Sequence, residues 1–285
     1  MTGMSMFAMS DLSVWAFFAA AVAGAGFGAG FLGGLFGGGG GMIVIPVLYH
    51  VFGALGVEQA VRMHLVVGTS LAAVVPLSIL GARTHWRQGN VELSLLKPLM
   101  PAALVGSLAA GLIGHWLDAH VLAWVFAAVA AFTAWNMVMR AKPQPGAPAH
   151  ANPVVLGTPA LGLVGAGIGC VSTLVGIGGA TLTVPVLHLL GTKMRSAIGT
   201  SSTLGMAIAL PGALSFALAG AHAEHLPPGS FGYVNLIAAA MLFCCGSVGV
   251  STGAKLTKKV DETVLRRLFA LLLGASALRM LLATA

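Results

Sequence analysis

Charge is what this chain lacks. Of its 285 residues, 14 are Lys or Arg and 7 are Asp or Glu, together 7% of the total. A soluble domain carries about 25% charged residues, so a water-facing surface cannot be built from this set. That excludes a soluble enzyme, a nucleic-acid-binding protein and a disordered chain. The net charge of +7 is spread between apolar runs rather than gathered in a patch, and it reads as membrane-topology charge. Cysteine is scarce as well. Cys170, Cys244 and Cys245 make no CxxC pair and no disulfide framework; they read as small packing residues.

Acidic residues are missing from the interior of every apolar run: Glu58, Glu92 and Glu224 only flank one. Catalysis needs a nucleophile, a base and an orienting group. Ser70 with His64 is the nearest approach to such a set, so no catalytic residue is expected. His222, Glu224 and His225, and the pair His115 and His120, resemble metal ligands only superficially. They fall in short loops without a full ligand set, and neither a metal nor a cofactor is expected.

What the chain has instead is 58% hydrophobic residues and 40 glycines. A spanning helix needs roughly 20 mostly apolar residues. Eight long runs meet that measure approximately, at 12–36, 59–81, 93–116, 121–139, 154–176, 196–220, 231–254 and 263–283, with short runs at 42–52 and 180–190. The fold class is an all-α polytopic membrane protein. The first run has no basic stretch before it, as a cleavable signal would, so it is expected to be retained with its start outside. Positions 140–153 hold Pro143, Pro145, Pro148 and Pro153, a density that stops a helix. They read as a cytoplasmic linker between an N-terminal repeat at 12–139 and a C-terminal repeat at 154–283.

The two halves repeat. With an offset of 139, GFGAGFLGGLFGGGGGMIVIPVL at 26–48 meets GAGIGCVSTLVGIGGATLTVPVL at 165–187, so that Gly40 meets Gly179 and Pro46 meets Pro185. At an offset of 131, Gly68-Thr69-Ser70 meets Gly199-Thr200-Ser201. The loop at 82–92 is basic while that at 115–120 is not; in the second half the loop at 255–267 is basic while that at 221–230 is not. Cytoplasmic loops collect Lys and Arg, so corresponding loops face opposite sides, as in an inverted-topology repeat. Both termini then lie outside. Inversion requires an odd number of crossings per half. The short runs therefore either cross or pair with the preceding helix as a re-entrant hairpin, and the hairpin is the preferred of the two.

Five consecutive glycines at 37–41 and the Gly176-Ile177-Gly178-Gly179 stretch should break their helices, because glycine costs about 1 kcal/mol relative to alanine in a helix. Broken backbone at membrane depth is tolerated only inside protein or beside a cavity. The half-helices that follow begin with free N–H groups and a positive dipole end, which makes an anion site without a basic side chain. The candidate binding residues are Gly39, Gly40, Gly41, Met42 and Ile43 on the first break, and Gly178, Gly179, Ala180 and Thr181 on the second. Thr69, Ser70, Thr200, Ser201 and Ser202 are expected to line the cavity, with Ser172, Thr173, Thr183, Asn136 and Asn235 as secondary candidates. Pro46 and Pro185 are candidate hinges. Arg62, His64, Lys193 and Arg195 are candidate accessory charges, set one or two turns from the hydroxyls; snorkelling to the interface is their plainer role. Leucine at Gly40 or Gly179 is expected to abolish flux while leaving insertion intact. The glycines upstream of the first break fit a helix-packing seam.

At these motifs the sequence resembles the TauE/SafE family of sulfite and organosulfonate exporters, over most of its length. The carriers are GGLFGGGGGMIVIPVL at 33–48, STLVGIGGATLTVPVL at 172–187, the two GTS segments, and GAKL at 253–256 with VLRRLFALLLGASALRML at 264–281. The resemblance implies a bacterial inner-membrane permease for sulfite, sulfoacetate or another organosulfonate, or thiosulfate. The expected partners are that anion and the lipid bilayer, with a homodimer left open and no nucleic acid. An ion-coupled importer, a channel and a membrane assembly factor that binds a protein partner are the alternatives.

Overall fold

The computed structural model describes residues 10–36, 40–114, 116–139, 157–223 and 226–256, with scattered positions between 264 and 282. Nine helices occur among the described residues: α1 (Ser10–Phe36), α2 (Gly41–Ala54), α3 (Gln59–Arg87), α4 (Leu93–Gly114), α5 (Ala119–Met139), α6 (Thr158–Val175), α7 (Ala180–Leu189), α8 (Met194–Ala219) and α9 (Leu236–Leu256). A small antiparallel hairpin, β1 (Ser230–Phe231) and β2 (Val234–Asn235), precedes α9. Apart from this hairpin the fold is all-α.

Six of the eight long runs form helices long and apolar enough to cross a bilayer: Phe18–Phe36, Gln59–Arg87, Leu93–Gly114, Thr158–Val175, Arg195–Ala219 and Leu236–Leu256. The other two fall short for separate reasons. The run at 121–139 is α5, whose apolar stretch Ala119–Trp135 ranks with α2 among the shorter helices. The run at 263–283 and the linker at 140–153 lie largely or wholly outside the described residues. Large apolar side chains point outward on several helices, among them Leu112, Phe132, Leu163 and Leu218, and Trp116 does so in the turn after α4. Exposed apolar surface on that scale belongs against lipid. This is a multi-pass membrane protein.

The first short helix folds back. Gly28 of α1 faces Ile43 of α2, and Gly40 lies against the Ala29 backbone. At the far end, Phe18 and Phe52 line one small cavity. So α2 returns along α1 toward the end from which α1 began, as a hairpin. Helix α7, ten residues long, reaches only about 15 Å at 1.5 Å per residue, half of a hydrocarbon core. The helices run through Pro46 and Pro185 without interruption.

Lipid tails are as apolar as leucine, so helices associate in a membrane by close van der Waals fit. Glycine supplies it here. Gly26, Gly30 and Gly34 of α1 stand against Leu242, Gly246 and Val250 of α9, and Gly249 and Gly253 of α9 stand against the α1 backbone. A second seam joins α4 to α6, with Gly106 against Ala166, Gly165 against Leu99 and Gly169 against Ala103. Between the seams α3 packs on α8, and further contacts join α3 to α9, α4 to α8, α2 to α3 and α7 to α8. The larger buried cluster includes Met42, Ile45, Leu48, Phe52, Leu71 and Phe216; a smaller one gathers Leu99, Ile168, Leu187, Leu204 and Ile208.

The seam makes a sharp contrast between neighbouring glycines. A β-carbon on Gly30 would collide with the Gly246 backbone, whereas one on Gly24 meets nothing within 4 Å. Gly30→Ala should destabilise the purified protein by about 1–3 kcal/mol, the usual cost of overpacking. Gly24→Ala should leave it unchanged or slightly firmer. Thermal unfolding in detergent reads both.

Candidate substrate site at two helix breaks

Helix α6 stops at Val175 because Gly176 adopts left-handed backbone, φ 77°. The N–H of Gly176 then donates to Thr173 O, and that of Ile177 to Ser172 O, a pattern that satisfies the last carbonyls of a helix. Gly178 (φ 70°) and Gly179 (φ 91°) continue the excursion. Helix α7 opens with the N–H groups of Leu182 and Thr183 on the Gly179 carbonyl. The N–H groups ahead of them, on Ala180 and Thr181, have no partner within the helix. The side chains of Ala180 and Thr181 lie outside the described residues.

The start of α2 carries the same hydrogen bonds, although Gly40 keeps right-handed backbone (φ -63°). Gly39 falls outside the described residues. Gly40 precedes α2, and its carbonyl accepts from the N–H groups of Ile43 and Val44. That narrows the expected donors: the Ile43 N–H is already engaged, which leaves those of Gly41 and Met42 at the helix tip. The two breaks touch each other. A β-carbon on Gly41 would lie 2.8 Å from both Gly176 O and Ile177 Cα.

The second break sits against the inner turns of two long helices, while the first, through Gly40, lies on Ala29 of α1. Gly176 packs on Val67 of α3, Gly178 on Val74 of α3, and Gly179 on Ile208 of α8. Gly40, Gly41, Gly176, Ile177, Gly178 and Gly179 are all buried. None of the described residues of the breaks carries a charged side chain; the positive potential here comes from helix dipoles and amide hydrogens.

The hydroxyls divide into three tasks. Ser70 donates to Gly176 O at 2.8 Å and so ties α3 to the second break. Thr69 accepts from the Asn235 N–H at 2.9 Å, and Thr200 from the Glu92 N–H, also at 2.9 Å. Each threonine thus holds the residue just before a helix, α9 in one case and α4 in the other. The glycine ahead of each lets the same loop approach, Tyr233 O at Gly68 and Asn90 O at Gly199. Ser202 bonds back to Ile198 O and Thr183 to Gly179 O. Ser201 is fully buried. Asn235 fastens the β-hairpin by donating to Pro228 O and Ser230 Oγ.

Residues 22–280 match the family described as Sulfite exporter TauE/SafE. The chain belongs to the TauE/SafE family. It is 32% identical over 246 residues to a probable membrane transporter protein of Haemophilus influenzae, covering 86% of this chain and 90% of that one. It is 28% identical over 248 residues to another of Methanocaldococcus jannaschii, covering 86% and 88%. A third, of Bacillus subtilis, is 25% identical over 236 residues, covering 80% and 86%. No solved structure matches the chain. It is a membrane transporter of the TauE/SafE family, and the family implies a small transported anion.

The basic candidates of this TauE/SafE protein lie apart from the breaks. Arg62 donates through Nε and Nη2 to Val57 O and stands over the Tyr49 ring at 5.2 Å, so it holds the turn between α2 and α3. His64 is buried, its Nε2–H donating to Leu117 O, with Tyr233 beside the ring. Lys193 and Arg195 are exposed at the start of α8. One residue that motif reading passed over is His85, fully buried, whose Nε2–H donates to Gly34 O in the last described turns of α1. Ser107 is another. It donates to Ile208 O at 2.6 Å and meets Thr173 Oγ1 at 2.7 Å, joining α4, α6 and α8 beside the second break. No motif marks either; only their partners do.

Leucine at Gly40 or Gly179 is a blunter probe than the sequence suggests. A side chain at Gly40 meets the Ala29 backbone, and Gly179 has positive φ and faces Ile208. Ser70→Ala is cleaner. It leaves a buried carbonyl without its donor and should cost about 1–3 kcal/mol, read as a lower unfolding midpoint with membrane insertion preserved.

Proposed function

We propose that this chain is an inner-membrane permease that exports a small sulfur-containing anion, such as sulfite, sulfoacetate, another organosulfonate or thiosulfate, by alternating access. The observation that carries the reading is the meeting of two broken helices, Gly41 against Gly176 and Ile177, with the second break packed on α3 and α8. Their free amide tips form a neutral, donor-rich cradle that suits an anion. The donors are the N–H groups of Gly41 and Met42 on one side and of Ala180 and Thr181 on the other. Because every described residue of the breaks is buried, the anion is held in an occluded state and leaves only when one side opens.

Two inverted halves give a reason for such opening. The packing supports them: exchanging α1, α2, α3 and α4 with α6, α7, α8 and α9 turns the α1–α9 seam into the α6–α4 seam, and the α3–α9 contact into α8–α4. The same exchange turns the bond from Asn235 to Thr69 into the bond from Glu92 to Thr200. These threonines act as latches, one on the outer loop and one on the inner, and transport alternates their release. Both termini lie outside, and the linker lies in the cytoplasm.

Direction follows from charge. An inside-negative potential contributes about 2.3 kcal/mol per charge per 100 mV, so a dianion is driven outward by roughly 4.6 kcal/mol, on the order of a thousandfold gradient. No acidic side chain lies within the described α1, α2, α3, α6, α7 or α8 beyond their ends to carry a proton inward.

The test is flux. Purified protein in liposomes should move sulfite, thiosulfate or an alkyl sulfonate toward the positive side at carrier rates. Currents far above a carrier's turnover indicate a channel. Stalled flux under every ion gradient, for every such anion, overturns the reading and favours a partner-binding role. Thr69→Val and Thr200→Val should each change turnover severalfold with substrate affinity held within about twofold. Cysteines placed at Gly89 and Ala221 should be labelled from opposite faces of the membrane; labelling from one face sinks the inverted topology.

A further inference from the structure

Two hydroxyls beside the second break stand without a partner among the described residues: Ser78 on α3 and Ser172 on α6, each 1% exposed. A buried hydroxyl left unpaired is costly. In a helix it normally bonds back to the carbonyl one turn earlier, as Ser202, Thr183 and Ser215 do here. Ser78 and Ser172 do not.

Their places are informative. Ser78 lies two turns along α3 from Ser70, on the same face. Ser70 binds the Gly176 carbonyl, Val74 packs on Gly178, and Ser78 stands with the Gly178 carbonyl beside Gly205. A β-carbon on Gly205 would be 2.8 Å from Ser78 Oγ and 2.9 Å from Gly178 O. Ser172 occupies the last turn of α6, and its own carbonyl caps that turn through the Ile177 N–H. The 176–179 segment between them leads into the amide tip of α7. The two halves differ here. The offset of 131 sets Ala209 opposite Ser78, and the offset of 139 sets Gly33 opposite Ser172.

We propose that Ser78 and Ser172 are substrate ligands whose O–H groups donate to the oxygen atoms of the transported oxyanion. The two breaks are then chemically unequal. The second holds the oxygens with hydroxyls and the α7 amides, and the first, with Gly33 and Ala209 in the matching places, holds the remainder of the molecule. The proposal rests on the breaks being the transport site.

Ser78→Ala and Ser172→Ala in the full-length protein test it, with sulfite and ethanesulfonate as probes. Binding is read by ligand-induced shifts in melting temperature, and transport by liposome flux. Each variant should weaken binding about tenfold to a hundredfold, the range for a hydrogen bond to a charged group. Its melting temperature without ligand should be unchanged or raised, because an unpaired hydroxyl has been removed. Wild-type flux with full affinity in both variants overturns the assignment and leaves the transport reading standing. A lower ligand-free melting temperature with unchanged affinity marks structural hydroxyls and overturns it equally. No wild-type flux of any oxyanion overturns both.

Discussion

A helix that stops inside a bilayer exposes backbone groups that lipid cannot satisfy, at several kcal/mol each. The rest of this fold answers that constraint. Gly176 turns α6 off through its left-handed conformation, and the Thr173 and Ser172 carbonyls are taken up at once by the N–H groups of Gly176 and Ile177. The Gly176 carbonyl, freed by the turn, is met by Ser70 from α3. The Gly179 carbonyl starts the next helix and also accepts from Thr183 Oγ1. These four carbonyls are thus provided for from within the protein. The amide hydrogens at the tips of α2 and α7 are the groups that intrahelical bonding leaves over, and the proposed anion is the kind of guest that suits them.

Holding such a break in place needs rigid walls, and the glycine seams supply them. Where α1 meets α9 and α4 meets α6, the missing β-carbons let backbones come into direct contact. Each seam joins an element before the linker to one after it. The halves are therefore interleaved rather than side by side. Phe216 of α8 packs by His64 of α3, and Gly205 of α8 beside Ser78 of α3, so α3 and α8 join the two halves where the second break packs on them.

Much of this was legible in the residues. The breaks are announced by the glycine runs, the half-helices by Pro46 and Pro185 at matching places, and the central pair by two GTS triplets. Upstream glycines read as packing residues, and Gly26, Gly30 and Gly34 do pack on α9, though Gly24 does not. Other features were beyond pattern reading. Run length does not say how a short helix lies against its predecessor; the contact of Gly28 with Ile43, which brings α2 back along α1, does. The threonines of the triplets were expected to line a cavity, but Thr69 meets Asn235, 166 positions away, and no local spacing encodes that partner. Arg62 misleads for the opposite reason. Its helical face points toward Thr69, yet its guanidinium reaches Val57, five residues back. Ser78 carries no motif at all and stands out only because its hydroxyl has no partner among the described residues.

The placement of charge bears on how a carrier of this kind works. A site that must release its cargo has to bind firmly enough to admit it and weakly enough to let it go. A buried guanidinium would hold a dianion strongly in a low-dielectric interior, and once the anion left it would stand unpaired at high cost. Helix tips avoid both extremes, since each offers about half a unit of positive charge and its amide dipoles stay in place when the site empties. The formal charges of the chain sit elsewhere: Arg62 is bound to a turn, and Lys193 and Arg195 face outward at the end of a helix. The scarcity of charge that marks the sequence is therefore consistent with the proposed chemistry, in which a neutral cradle of backbone amides binds an anion and then surrenders it in the middle of a membrane.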